Sequence, residues 1–576
     1  MGSGIEEALK KAFAEKGEPL PSRSTEAPAT DRRLRNAKRP PLTTPEKRSK
    51  KRGKKNKAQF APKKKRRYPA GPRLDPSVYH DRAARTAPQD PAFVVTLGPD
   101  IRLNVSLGSE NSAFEYHAYG NEDARTQCVR GHSTDTRELT IGIDLGTSST
   151  KVVIGDPALG KAFAVPFGRQ TGVAAYLLPC RLSEDEGNYR VGGNGKNSLR
   201  DLKLSFLASP KDPVDQQRLA AFLACVIRHA RSWLLTEHRG TFAGTQIYWK
   251  LALGYPAAYH FEGDTAMQLR KVGGVGWLAS LRPGSITQHS LQKSEQRYVE
   301  LRDPDVVRDE DEDIEVSVVP EIAAQVYGFV NSSRFDPKSD RTFLMVDVGA
   351  GTIDSSLFYI EKQRANRWKF GFYTSRVGPH GVMNLHRHRV KWWLGALKDT
   401  EQTQRICRDL EQIQFATDRE TPIPDTFAEY VLGAKVALAN ENQGPDHEFF
   451  NRVLTQVREE SYWKAGMEGT VDRKQLGGIP AFYCGGGIRM PFYEKLLKEM
   501  RHKPGYTWLK AEPRTIELPS NLVAPGVVRA DFDRLTVAYG LSFVNVGEVT
   551  KVQPPPKQKV EYEPAWRDNY PRKEDV

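Results

Sequence analysis

At 576 residues the chain is long enough for one to four domains, and 38% hydrophobic residues with 24 Phe, 21 Tyr and 9 Trp can build real cores. The net charge of +15 sits at one end: residues 1–90 hold 25 Lys and Arg against 10 Asp and Glu, and the remainder balances. Five scattered cysteines without CxxC spacing argue against disulfides or a zinc site, no apolar run precedes a cleavage site, and no stretch approaches the roughly 18 apolar residues of a membrane helix; a reduced cytoplasmic protein is expected, or a nuclear one in a eukaryote.

In chain order, Ile5, Leu9 and Phe13 at spacing four predict a short amphipathic helix over 4–17. Residues 18–90 are rich in Pro, Lys and Arg, with the runs 47–52 and 63–67, and cannot bury enough apolar surface to fold. A disordered basic arm (1–90) is expected, either a solvated tail or a nonspecific contact for nucleic acid. Ile101, Leu103, Val105 and Leu107 alternate with polar residues, so 91–138 reads as a small β-rich addition.

Residues 139–156 then form a hairpin pattern. Leu139 to Ile143 is a buried-strand run ending at Asp144. Gly146, Thr147, Ser148 and Ser149 make a small-residue turn, and Val152 to Ile154 resume a strand. Glycine lets backbone amides approach a phosphate and hydroxyls donate to its oxygens. A carboxylate beside them suits hydrated Mg²⁺. Residues 181–192 read as a second hairpin, 201–207 as a short helix or strand, and Arg218 to Glu237 as a helix with an apolar face. The acidic stretch 303–315 reads as a solvated loop, or as a patch attracting the chain's own basic arm.

The design of 139–156 returns at 343–357: a strand to Asp347, a turn of Gly349, Ala350, Gly351 and Thr352, then a strand. His380, His386 and His388 lie among Arg and Lys without a nearby carboxylate, so no metal site is expected there. Residues 427–440 read as a helix carrying Lys435. A third glycine turn, Gly485, Gly486 and Gly487, follows a strand and precedes a helix starting near Pro491. Three glycines there would let a flat base or ribose lie on backbone, with Arg489 stacking on the base. Pro-rich 553–557 ends the body, and a polar tail closes the chain.

The order of these motifs resembles the actin-like ATPase superfamily, closest to the nucleotide-binding domain of the DnaK-type chaperones. Three further segments are similar to that domain: Leu253-Gly254-Tyr255-Pro256-Ala257, the interlobe-like helix from Val319 to Gly328, and the closing helix from Arg534 to Gly540. The likeness covers about 139–546. It implies an α/β, two-lobed actin-like ATPase fold with duplicated ribonuclease H-like lobes: lobe I over 139–335, lobe II over 336–530, a closing helix over 531–546 and a polar tail over 547–576.

The resemblance also implies roles. ATP or ADP with Mg²⁺ would be the cofactor, with Asp144 and Asp347 holding the metal through water and ordering the attacking water. Gly146, Thr147, Ser148, Gly349, Ala350, Gly351 and Thr352 would bind phosphate, and Gly485, Gly486, Gly487, Arg489 and Lys435 the nucleoside. Lys151 is placed like the phosphate-binding lysine of actins and Lys203 like the catalytic lysine of the chaperones; one of the two is expected to be an ordinary surface lysine. Glu321 follows Pro320 where the chaperones place a Glu before it. Glu321 would position water or only favour the helix N-terminus. Phosphoryl transfer needs mainly positioning and charge neutralisation.

About thirty residues follow Phe543, too few for a peptide-binding domain and lid, so a peptide-clamp cycle is not expected. The expected function is an ATP-binding and ATP-hydrolysing switch or chaperone-like protein whose lobe closure controls a protein or nucleic-acid partner. The alternatives are a filament-forming ATPase using the basic arm on DNA, a sugar kinase, and a nucleotide-bound scaffold without catalysis.

Overall fold

The computed structural model describes residues 93–105, 116, 135–192, 198–256, 264–309, 312, 314–330, 335, 342–363, 367–397, 403–414, 423–501, 503–543 and 546–553. The expected helix at 4–17 and the basic arm lie outside them. The body is mixed α/β. Its main strands are β1 (Phe93–Leu103), β2 (Thr136–Leu145), β3 (Ser149–Asp156) and β4 (Lys161–Ala164). Helices α1 (Leu202–Ala208) and α2 (Pro213–Glu237) follow, then β5 (Gln246–Tyr255), α3 (Asp264–Leu281), β6 (Glu315–Pro320) and α4 (Glu321–Val330). Next come β7 (Thr342–Val348), β8 (Ile353–Lys362), β9 (Trp368–Gly378), α5 (Val382–Ala396), β10 (Val431–Leu438) and α6 (Pro445–Leu454). The chain closes with β11 (Ile479–Cys484), α7 (Pro491–Glu499), β12 (Ala511–Arg514), β13 (Leu522–Val523), α8 (Thr536–Phe543) and β14 (Val546–Lys551).

Two large sheets repeat one topology. In the first, β2, β3 and β4 form an antiparallel meander, β5 and β6 add in parallel beside β2, and β13 adds in parallel beside β4. In the second, β7, β8 and β9 form the meander, β11 and β12 add in parallel beside β7, and β14 beside β9. The six-strand pattern is therefore the same at both ends of the body. Parallel neighbours need covered faces, which is why the middle of each meander's first strand, 139–143 and 343–346, is almost wholly apolar. Phe343 and Met345 of β7 join one core, and Leu344, Val346 and Val348 another.

Helix α2 starts where Asp212 caps the amides of Val214 and Asp215 and Pro213 occupies the first turn. By length and composition it could cross a membrane, but 89% of its apolar window is buried inside the protein, where it packs on the first sheet. Helices α4 and α8 share a core with β5 and with the second sheet. Close approach by α8 needs three glycines, two on its partners and one of its own. A Cβ at Gly142 of β2 would come within 2.6 Å of the Ala538 carbonyl oxygen, and one at Gly155 of β3 would run into Ser542. One at Gly540 would run into the Ala324 carbonyl oxygen.

Three expectations are corrected. Residues 431–438 are a strand, preceded by a short 3₁₀ turn over Phe427–Tyr430, not a helix. Their apolar residues fit a helical face, but Gly433 has φ +82° and the strand Phe93–Leu103 is there to pair with. The alternating strand predicted near Ile101 is thus one half of a two-stranded sheet over α5, with Phe93 against Trp392 and Val105 in the core beside Trp393. Residues 547–551, expected in the tail, belong with Val546 to the edge strand of the second sheet. The hairpin at 182–191 and the helix at 202–208 are present. The free cysteines Cys180, Cys225, Cys407 and Cys484 form no disulfide among the described residues.

Candidate functional site

The tips of the two equivalent hairpins, β2–β3 and β7–β8, meet in one cleft with an empty volume of about 1020 Å³. Asp144, Gly146, Thr147 and Ser148 enter it from the first hairpin, and Asp347, Gly349, Ala350 and Thr352 from the second. Gly351, expected beside them, turns instead into a smaller depression behind the tips, bounded by Thr147, Ser148 and three arginines. The tips are close: a Cβ on Gly351 would lie 3.3 Å from Thr147 Cγ2.

The second tip is held by the start of α5. The amides of Gly381, Val382 and Met383 donate to the carbonyls of Gly351, Gly349 and Ala350 at 3.2, 3.2 and 2.7 Å. Gly381 is required there, because a Cβ would come within 2.6 Å of two of those carbonyls. The tip's carbonyls are thereby occupied. The amides of Thr147, Ser148 and Ala350 donate to no backbone carbonyl among the described residues, so all three are available to an anion in the cleft.

The register makes a further equivalence visible. Asp144 pairs across its hairpin with Lys151, and Asp347 across its own with Asp354, the same seven-residue spacing. In the first hairpin the pair is an ion pair, Lys151 Nζ to Asp144 Oδ2 at 2.9 Å. In the second it is two carboxylates. Gln325 of α4 donates to Asp347. Burial, with the charges of Asp144 and Glu321, pushes the Asp347 carboxyl up to about 6. Burial and the nearby Glu321 lift Asp354 well above the usual carboxylate range, and its Oδ1 has no hydrogen-bond partner among the described residues.

Lys203, on α1, donates to Glu321 Oε1 at 2.7 Å. Burial opposes the lysine's charge, but Glu321 outweighs it and holds Lys203 protonated. Burial raises Glu321 above its ordinary value despite the lysine. The expectation that one of Lys151 and Lys203 is a surface residue is not met: both line the cleft and both are ion-paired. Five carboxylates, Asp144, Glu321, Asp347, Asp354 and Asp533, thus line the cleft with three cationic groups, Lys151, Lys203 and Arg534, an excess that favours a bound cation. No cluster of three metal-ligating side chains exists among the described residues.

The third glycine turn closes the far end of the cleft, but not as expected. A Cβ on Gly485 would strike the Asp347 carboxylate and the Val348 carbonyl; one on Gly487 would strike Val348 and Val382. Over Gly486 lies the guanidinium of Arg534, whose Cζ would be 3.0 Å from a Cβ there. Gly485 and Gly487 are thus needed for packing against the second hairpin, while Gly486 stays exposed in the cleft beside Arg534. Arg489 does not line the cleft; it binds Asp531 at 2.6 Å, Asp533 and the Ala530 carbonyl. Lys435 stands exposed on β10, paired with Thr96, away from the cleft. The three histidines serve packing: His386, for example, bonds Tyr430 and the Ile413 carbonyl.

Sequence reasoning gave no role to Gln325, Asp354 or Arg534. The seven-residue spacing shared by Lys151 and Asp354 was a readable signal; Arg534 had none. Among known proteins, the chain matches no family model and no curated sequence.

Proposed function

We propose that the chain is a nucleotide-dependent switch of the two-lobed actin-like kind, nearest in design to the DnaK-type nucleotide-binding domain, which binds MgATP and hydrolyses it slowly. The observation that carries this reading is the pair of equivalent Asp-Gly-Thr tips, from two sheets of identical topology, lining a single cleft. Free amides at Thr147, Ser148 and Ala350, with the hydroxyls of Thr147, Ser148 and Thr352, suit the oxygens of a polyphosphate. Asp144 and Asp347 fit an ion held through water, and Mg²⁺ bound there would neutralise phosphate charge.

Hydrolysis requires a water to attack the terminal phosphorus as the bond to the bridging oxygen breaks. Glu321, raised by burial and held by Lys203, is suited to take that water's proton. Lys151 and Lys203 balance charge on the leaving oxygens. Because α4 and α8 share their core with the second sheet and contact the first, closure of the cleft on ligand would shift both helices. That movement is the proposed signal to a protein or nucleic-acid partner.

Phosphate release by the wild type, Asp144→Ala and Asp347→Ala tests the reading. Turnover in the wild type and its loss in both variants are expected; equal rates in all three would remove the catalytic assignment.

A further inference from the structure

Three cationic side chains line the cleft among the described residues, and they are not alike. Lys151 is paired with Asp144 and Lys203 with Glu321. Arg534, between a 3₁₀ turn and α8, donates no hydrogen bond and forms no ion pair among the described residues. Its guanidinium lies on Gly486, and the neighbouring Gly485 abuts the Asp347 carboxylate. A half-buried guanidinium, unpaired among the described residues, therefore stands just beyond the second hairpin tip. Burial and neighbouring Asp533, Arg489 and Asp531 set its local field, with Asp347 also near enough to act on it.

The groups expected to read a base are engaged elsewhere. Arg489 is held by Asp531 and Asp533, Lys435 is on another sheet, and the exposed Gly486 has the Arg534 guanidinium beside it. A ligand whose outer phosphates sit at the hairpin tips and whose chain runs toward Gly485 meets Arg534 next. What a guanidinium fork offers at that point is two parallel donors to phosphate oxygens.

We propose that Arg534 grips the inner phosphate of a nucleoside polyphosphate, so that the cleft selects for the length of the phosphate chain rather than for the base. This rests on the nucleotide reading above and names its substrate class: nucleoside di- and triphosphates, purine base indifferent.

The test is equilibrium binding of ATP, GTP, ADP and AMP, each with Mg²⁺, to the full chain and to Arg534→Ala and Arg534→Lys. Because Arg534 makes no hydrogen bond or ion pair among the described residues, the variants should stay folded, and their unfolding temperatures are measured alongside. The wild type should bind ATP and GTP within about fivefold of each other and AMP far more weakly. Arg534→Ala should weaken ATP and GTP together by about tenfold or more, and Arg534→Lys should recover part of that loss, keeping charge but not the fork. Unchanged ATP affinity in Arg534→Ala would overturn the proposal while leaving the nucleotide site standing. So would a wild-type preference for ATP over GTP that Arg534→Ala abolishes, since Arg534 would then read the base. Failure of the wild type to bind any of the four would remove both readings.

Discussion

The ammonium of Lys203 on α1 lies 2.7 Å from the carboxylate of Glu321 at the start of α4, 118 residues later in the chain. Both side chains are nearly buried, and they tie the helix beside the first hairpin to one of the two helices packed on the second sheet. Removing one partner leaves the other charged and uncompensated. Lys203→Met should therefore cost about 2–4 kcal/mol of stability, and Lys203→Met with Glu321→Gln should recover most of it. Urea unfolding of the two single variants and the double variant measures this; additive losses would mean that the pair is not coupled.

Asp347 carries a cost the apo protein bears for its cleft. Its carboxyl is raised to about 6 by burial and by Asp144 and Glu321, so ionisation disfavours the folded state. The penalty is absent below the ordinary carboxylate pKa, grows as pH rises toward 6, and is complete above it. Asp347→Asn, which keeps a partner for Gln325, should stabilise the ligand-free protein at pH 7.5 by about 1–3 kcal/mol and by almost nothing at pH 4. Thermal unfolding across that range checks the sign, and a gain that grows toward acid pH would contradict it.

The seat of α8 depends on the absence of a side chain. Gly540→Val would drive a branched side chain into the Ala324 carbonyl and should cost about 3 kcal/mol or more, with loss of nucleotide affinity because α8 follows Arg534 directly. Hydrogen exchange should show α4 and α8 loosening together. A stable variant with native affinity would mean that the close contact is not needed.

Lys435→Ala should leave nucleotide affinity unchanged within about twofold, because the side chain is exposed on β10 and away from the cleft. A tenfold loss on calorimetric titration would place it back at the site.

The excess of Lys and Arg falls in the first 85 residues, which lie outside the described residues. Deleting residues 1–85 should abolish salt-sensitive retention on DNA and leave ATP turnover intact. Turnover that falls with the arm would tie the two activities.

How much of this was readable depends on the residue. The hairpin tips were legible because an Asp, a glycine turn and flanking apolar runs are local features, and their repetition at one spacing made them stand out. The strand 431–438 was not, because Val431, Ala434, Val436 and Leu438 satisfy a helical and an alternating pattern alike; only the distant partner Phe93–Leu103 decides between them. Arg489 was misplaced for a similar reason. Asp531 and Asp533, more than forty residues on, capture Arg489, and Arg534 takes the place over Gly486. Glycines 142, 155 and 540 carried no signal, since each is needed by a neighbour far away in the chain.

The central claim is that two distant hairpin tips hold one polyphosphate. Calorimetric titration of the purified full-length chain with MgATP, with inorganic triphosphate as competitor, addresses it most directly. Saturable binding of one MgATP per chain, displaced by triphosphate, is the predicted result. A flat titration with both MgATP and MgADP would contradict the account.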